Sequence, residues 1–204
     1  MLVQLNAKIE AIRERADGLA VCSADGGELM ADMVFIGIGI EAETGLAVDA
    51  GLTVENGIRV DDQCRTDDPA IFAIGESANH SNRFASGRTR LESVQNAVDQ
   101  AKVAAAVIAG KDAHYDTVPW FWSDQYDSRL QMAGISKGYD RVQVRGEMTS
   151  DRFSLLYYQG QRLIAVDSIS AAGDHMAARR LLGAGISPDP ALACDPDVPL
   201  KSFL

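Results

Sequence analysis

Thr66-Asp67-Asp68-Pro69-Ala70-Ile71-Phe72-Ala73-Ile74-Gly75-Glu76 packs a turn, an apolar run and a glycine followed by a carboxylate into one short stretch. Asp67-Asp68-Pro69 reads as a turn, because aspartate side chains bond their own backbone and proline presets φ. Residues 71–74 then read as a short strand buried on both faces, the kind found inside a parallel sheet. Gly75 at its carboxyl end allows backbone to approach a ligand closely, at the edge where α/β sheets hold ligands.

Upstream, Met33-Val34-Phe35-Ile36 has the same texture and is followed by Gly37-Ile38-Gly39, a second strand end of the same type. Structural turns explain Gly37 and Gly39 about as well as a ligand does, since a lone GxG is a weak signal. Before it, short alternating runs broken by Asp17-Gly18 and Asp25-Gly26-Gly27 predict a β-meander. Between the two apolar runs, a short helix through Leu46-Ala47-Val48 stopped by Gly51 is expected. Asn56-Gly57 is then expected to make a hairpin turn.

Downstream, Thr89 stands three residues before Glu92, the spacing of a capping box. Val94, Ala97, Val98, Ala101, Ala104, Ala105 and Ile108 follow at helical spacing until Gly110. Residues 111–119 have linker character, and a boundary near residue 113 is expected. Beyond it the pattern predicts strands over 130–133, 141–145, 153–157 and 163–169, the last two joined across Gln159-Gly160-Gln161. A helix over 174–182 carries Asp174 early and Arg179-Arg180 late, as the helix dipole favours, with Gly183 at its end. An irregular tail starts at Pro188.

The 204 residues are 47% hydrophobic and 24% charged, an ordinary globular composition. No apolar run reaches the roughly 18–20 residues of a membrane span, and the start lacks a secretory pattern. A cytoplasmic protein is expected. The net charge of −10 opposes binding to nucleic acid. Cys22, Cys64 and Cys194 are odd in number and far apart, so buried thiols are expected rather than a disulfide framework or a zinc site. His80, His114 and His175 lack metal-ligand spacing, and surface or capping roles are expected of them.

Four separated segments, VFIGIGI (34–40), TDDPAIFAIGE (66–76), RLESVQNAVDQA (90–101) and VPWFWSDQYD (118–127), resemble in order the oxygenase-coupled, FAD-dependent NAD(P)H:ferredoxin reductases, especially the putidaredoxin and rhodocoxin reductase branch. GYDRVQVRGE (138–147) and LIAVDSIS (163–170) extend the resemblance over nearly the whole chain. It implies the C-terminal half of such a reductase, truncated before Met1. The fold class implied is an incomplete α/β, Rossmann-like FAD/NAD(P)-binding portion over residues 1–112. An α+β reductase C-terminal domain with an antiparallel sheet follows over 113–204. The cofactors implied are FAD and NAD(P)H, and the partner a [2Fe–2S] ferredoxin. Neither GxGxxG loop of a dinucleotide site occurs here, so a non-catalytic fragment or interaction module, associating through its truncated surface, is the alternative.

Carried over position by position, Glu76 stands where the family has aspartate against the ribityl and phosphate side of FAD. It is one methylene longer, and the plainer reading is a carboxylate capping a turn. Glu92, Ser93 and Val94 resemble the helix start that faces the flavin pyrimidine ring, where free amides favour negative charge; an ordinary capped helix is the alternative. Trp120 and Trp122 fall on one side of an extended segment. The resemblance puts Trp122 near the flavin and Trp120 nearer the surface used by the iron–sulfur partner, whereas a pair packing two domains together is the alternative. Arg83, Arg88 and Arg90 are basic in an acidic chain, and Arg83 and Arg88 are candidates for steering an acidic ferredoxin.

Overall fold

The computed structural model describes residues 2–204, in two compact units, residues 2–41 and Ala42–Leu204. In the first, β1 (Ile9–Arg15), β2 (Gly18–Ser23) and β3 (Glu28–Ala31) form the expected antiparallel meander. Gly18 is required at its tight turn: φ is +139°, and a Cβ there would stand 2.9 Å from the Ala31 carbonyl oxygen. The strand expected at 33–36 is absent, and Phe35 and Ile38 are 89% and 92% exposed. An apolar run becomes a two-sided buried strand only where neighbours pair its backbone and cover both faces. Among the described residues no strand pairs with this one.

The second unit opens with α1 (Gly45–Asp49), closed by Gly51 at φ +76°. Asn56 and Gly57 both take positive φ, and their turn is stitched by a single Val54–Ile58 bridge rather than a full hairpin. A small mixed sheet follows, in which β4 (Ile58–Arg59) runs parallel to β5 (Ala78–Ser81) and β5 antiparallel to β6 (Arg88–Thr89). Residues 71–74 do not form the expected buried strand. They contribute one bridge, Phe72 to Arg65, and only Ala73 is buried before the chain enters a 3-10 turn over Gly75–Ser77. The turn at 67–70 is present, with the Ile71 amide donating to the Asp68 carbonyl.

The long helix α2 (Val94–Ile108) is present, but its cap is Ser93, whose side chain accepts the Asn96 amide. The expected Thr89–Glu92 box fails because Thr89 lies in β6. Its core-facing stripe also differs from expectation: Asn96, Gln100, Ala104 and Val107 are buried, whereas Val94, Val98 and Ile108 are exposed. The groups facing the first half of this stripe are polar, so side-chain amides are the residues that can be buried against them.

In the C-terminal region, β7 (Trp120–Gln125), β8 (Ser128–Gly134), β9 (Arg141–Gly146), β10 (Phe153–Gln159) and β11 (Arg162–Ile169) make a sheet of order β7-β8-β11-β10-β9. Every pairing in it is antiparallel. One face is covered by α3 (Ala172–Ala184), whose Ala177, Ala178, Leu181 and Leu182 pack on Ala133, Leu156, Tyr158 and Val166. The helix ends at left-handed Gly185 rather than at Gly183, which lies inside it. The tail is more regular than expected, with α4 (Pro190–Ala193) capped by Asp189 and a 3-10 turn over Leu200–Phe203. Arg145 ties it down from inside, donating to Asp174 Oδ2 at 3.0 Å and to the Ala193 carbonyl at 3.1 Å. Among the described residues no helix is long and apolar enough to cross a membrane.

Candidate functional site

Three segments far apart in sequence meet around the first turns of α2. The Gly75 amide donates to the Gln100 side-chain oxygen at 2.7 Å. Ser93 both caps α2 and donates through its hydroxyl to the Trp120 carbonyl at 3.0 Å. Arg90, its side chain largely buried, donates to the Glu76 carbonyl at 3.1 Å and to the Glu92 carboxylate at 2.9 Å. Gly75-Glu76, Glu92-Ser93-Val94 and Trp120 are thereby joined through α2 and Arg90.

The surface at this junction carries both polarities. The capping hydroxyl serves Asn96 and the Ser93 carbonyl serves Ala97, while the amides of Val94 and Gln95 meet no acceptor among the described residues. Next to these amides, Val94 is 61% exposed. Trp122 is 38% exposed and lies 5.4 Å, ring centre to ring centre, from Trp120. Both indoles are on one side of β7, as the extended reading predicts. Trp120 is the more enclosed of the two. Trp120 lies 5.5 Å from the His175 ring and under the Arg179 guanidinium at 4.5 Å, and its buried indole nitrogen has no hydrogen-bond partner among the described residues. Glu76 projects from an exposed position at the other side of the junction.

The arginines separate into different roles. Arg88 is no surface cation: it donates to the carbonyls of Val60 and Asn79 and to Asn79 Oδ1, and burial lowers its pKa. Sequence shows charge and not direction, and these three acceptors draw the docking candidate Arg88 inward. Arg83 is exposed, stacked on Phe84 and bridged to Asp116 at 2.6 Å. Gly37 and Gly39 belong to the first unit, in an exposed segment outside any strand.

The histidine expectation is corrected in two places out of three. His80 and His175 are buried, and burial drives both pKa values down to about 4. His114 is exposed between Asp62 and Asp112, which raise its pKa. All three cysteines are unpaired, Cys22 and Cys64 buried and Cys194 partly so; burial pushes the Cys64 thiol up to about 11. Asn96, Gln100, His80 and Tyr115, none singled out by sequence as site residues, form the polar interior beneath Gly75. Their one sequence signal is the four-residue spacing of Asn96 and Gln100 on α2. Among the described residues, clefts of 290, 330 and 240 Å³ are present, and none of these is lined by Glu76, Val94 or Trp122.

Comparison with known proteins now bears on it. Residues 2–101 match the family model described as pyridine nucleotide-disulphide oxidoreductase, and residues 120–204 match the one described as reductase C-terminal. The chain belongs to the pyridine nucleotide-disulphide oxidoreductases. Within that family it is similar to rhodocoxin reductase of Rhodococcus erythropolis, 47% identical over 95% of this chain and 45% of the relative. It is 43% identical to the 5,5'-dehydrodivanillate O-demethylase ferredoxin reductase subunit of Sphingobium sp. (strain NBRC 103272 / SYK-6), over 98% of this chain and 50% of the relative. The crystal structure of the covalent putidaredoxin reductase–putidaredoxin complex superimposes with a TM-score of 0.91 at 38% identity, covering 97% of this chain and 48% of that one. The chain spans about half the length of the curated relatives it matches.

Proposed function

We propose that this chain forms part of a FAD-dependent oxidoreductase that passes electrons from NAD(P)H through FAD to a [2Fe–2S] ferredoxin serving an oxygenase. The observation that carries the reading is the junction at the start of α2, where Gly75-Glu76, Ser93-Val94 and the Trp120–Trp122 pair are held together. Unpartnered amides beside exposed apolar surface suit a ring system that is polar at one edge and flat and apolar across its faces. Flavin, when bound, supplies two-electron chemistry with the nicotinamide and one-electron chemistry with the iron–sulfur partner.

The chain's own residues then have defined tasks. The Val94 and Gln95 amides, with the positive end of α2 behind them, stabilise negative charge at the edge of the ring. Glu76 accepts hydrogen bonds from ribityl hydroxyls, and its charge strengthens them. Trp122 covers an apolar face and excludes water, while Trp120 is braced behind it by Arg179 and His175. Gly37 and Gly39 allow close backbone approach to the dinucleotide. Arg83, exposed beside Asp116, is the residue offered to the ferredoxin, with the enclosed Trp120 behind Trp122. The names of rhodocoxin reductase and of the putidaredoxin reductase–putidaredoxin complex support this choice of partner.

The linker character of residues 111–119 supports a domain boundary near residue 113, inside the compact unit Ala42–Leu204. Cytoplasmic location accords with three unpaired cysteines, since reducing compartments keep thiols reduced. The exposed apolar segment around Phe35 and Ile38 favours, beside this reading, association with further protein surface.

The test is a titration of the purified chain with FAD, followed by flavin fluorescence, with NADH:ferricyanide turnover measured alongside. Saturable quenching that weakens in Trp122→Ala is expected. A flavin signal indifferent to the protein would refute the reading.

A further inference from the structure

We propose that Gln100 is a positioning residue: gripped by the ring of His80, its carboxamide fixes the Gly75-Glu76 turn on α2 and so sets where the Glu76 carboxylate stands for the flavin. The inference deepens the reading above and rests on it.

The contact with Gly75 orients the Gln100 carboxamide. A backbone N–H can only donate, so the Gly75 amide at 2.7 Å identifies the oxygen end of the fully buried Gln100 side chain. Its NH2 end therefore faces His80 Nδ1 at 3.2 Å and donates to it. In that arrangement Nδ1 accepts and the ring proton of neutral His80 sits on Nε2, with the Ala78 backbone as the competing hydrogen-bond partner of the ring. That Nε2 is buried with no hydrogen-bond partner among the described residues, the ring standing edge-on to Tyr115 at 5.0 Å. A buried donor without an acceptor costs stability, so the ring is retained against its own hydrogen-bonding interest.

What the ring secures is the turn. Gly75 takes φ +73°, and a Cβ there would stand 3.4 Å from Ala97 Cβ, so the backbone is seated directly on the helix. Its amide has Gln100 as its acceptor, and the Asn96 side chain reaches its carbonyl at 3.5 Å. Tyr115 orients Asn96 in turn, donating to its Oδ1 at 2.8 Å. Glu76 is the next residue, and Arg90 holds its carbonyl. Gln100 itself is wholly buried, so it acts on a ligand at the surface only through Gly75.

The test uses the 204-residue chain and its Gln100→Met variant. Three quantities are measured: the ring nitrogen shifts of His80, amide exchange at Gly75, and the FAD titration. In the wild type the His80 proton is expected on Nε2; a proton on Nδ1 overturns the proposal whether or not the variant folds. In Gln100→Met, Gly75 exchange is expected to rise about tenfold or more while the Leu156 and Leu181 amides keep their protection, with FAD affinity falling about tenfold. Unchanged Gly75 exchange in a folded variant overturns the grip. Faster exchange with wild-type FAD affinity overturns the functional half. Absence of FAD binding in both proteins defeats the flavin reading and the purpose assigned to Gln100, and the exchange data tell that failure from a failure of the grip.

Discussion

Burial of His80 and His175 makes a pH dependence that belongs to single side chains. Each is held neutral, with a pKa near 4 against 6.5 when unfolded. Unfolding therefore takes up protons between those values, and stability falls as pH drops from about 6.5 towards 4, by up to about 1.4 kcal/mol per pH unit for each ring. Above 6.5 neither ring contributes to the slope. Urea unfolding across that range checks it, and His175→Phe or His80→Phe is expected to flatten the curve. Ser93 gives a second residue-level outcome, because it caps α2 and holds the Trp120 carbonyl. Ser93→Ala is expected to cost about 1–2 kcal/mol and to change Trp120 fluorescence, an indole effect that loss of a cap alone does not produce. These residues were legible unevenly. Ser93 stood out as part of a helix start, but the buried histidines did not, since nothing in an isolated imidazole tells which way it will face.

Elements read more clearly than their faces. The strands β8 to β11 and the hairpin at Gly160 follow from period-two alternation and turn chemistry, and they are where alternation puts them. Helix α2 was equally plain, yet its apolar residues Val94, Val98 and Ile108 are the ones that face outward. Periodicity reports that a helix has two faces, and the tertiary neighbours decide which is buried. Gly134 is an element-scale constraint of the same kind: at φ +80° at the end of β8, its Cβ would come within 2.2 Å of the Ile164 carbonyl oxygen on the adjoining strand. Gly134→Ala is expected to destabilise the sheet by at least about 2 kcal/mol, read as a lowered thermal midpoint. Leu181→Ala, in the fully buried stripe of α3, is expected to cost about 2–5 kcal/mol. Substituting exposed Leu192 in α4 is expected to change stability by less than about 0.5 kcal/mol.

At the scale of the whole molecule, the segment 33–40 and the junction on α2 pose different questions. Phe35 and Ile38 are exposed apolar side chains on a chain of net charge −10, and such patches favour association. Phe35→Glu with Ile38→Glu is expected to lower dye binding to apolar surface and to shift the chain towards smaller species in sedimentation, leaving the unfolding transition of Ala42–Leu204 in place. The resemblance carried by the four segments pointed to the family and to the candidates Gly75, Glu76, Ser93 and Trp122, and period-two alternation set the antiparallel C-terminal sheet, because a strand pattern depends on local spacing and residue type. Tertiary structure alone decided that Arg88 turns inward, that residues 33–36 and 71–74 are not strands, and that Gln100 and His80 stand beneath the Gly75 turn. Each of those outcomes depends on which backbone groups and faces are already satisfied by distant parts of the chain, and a linear sequence does not carry that information.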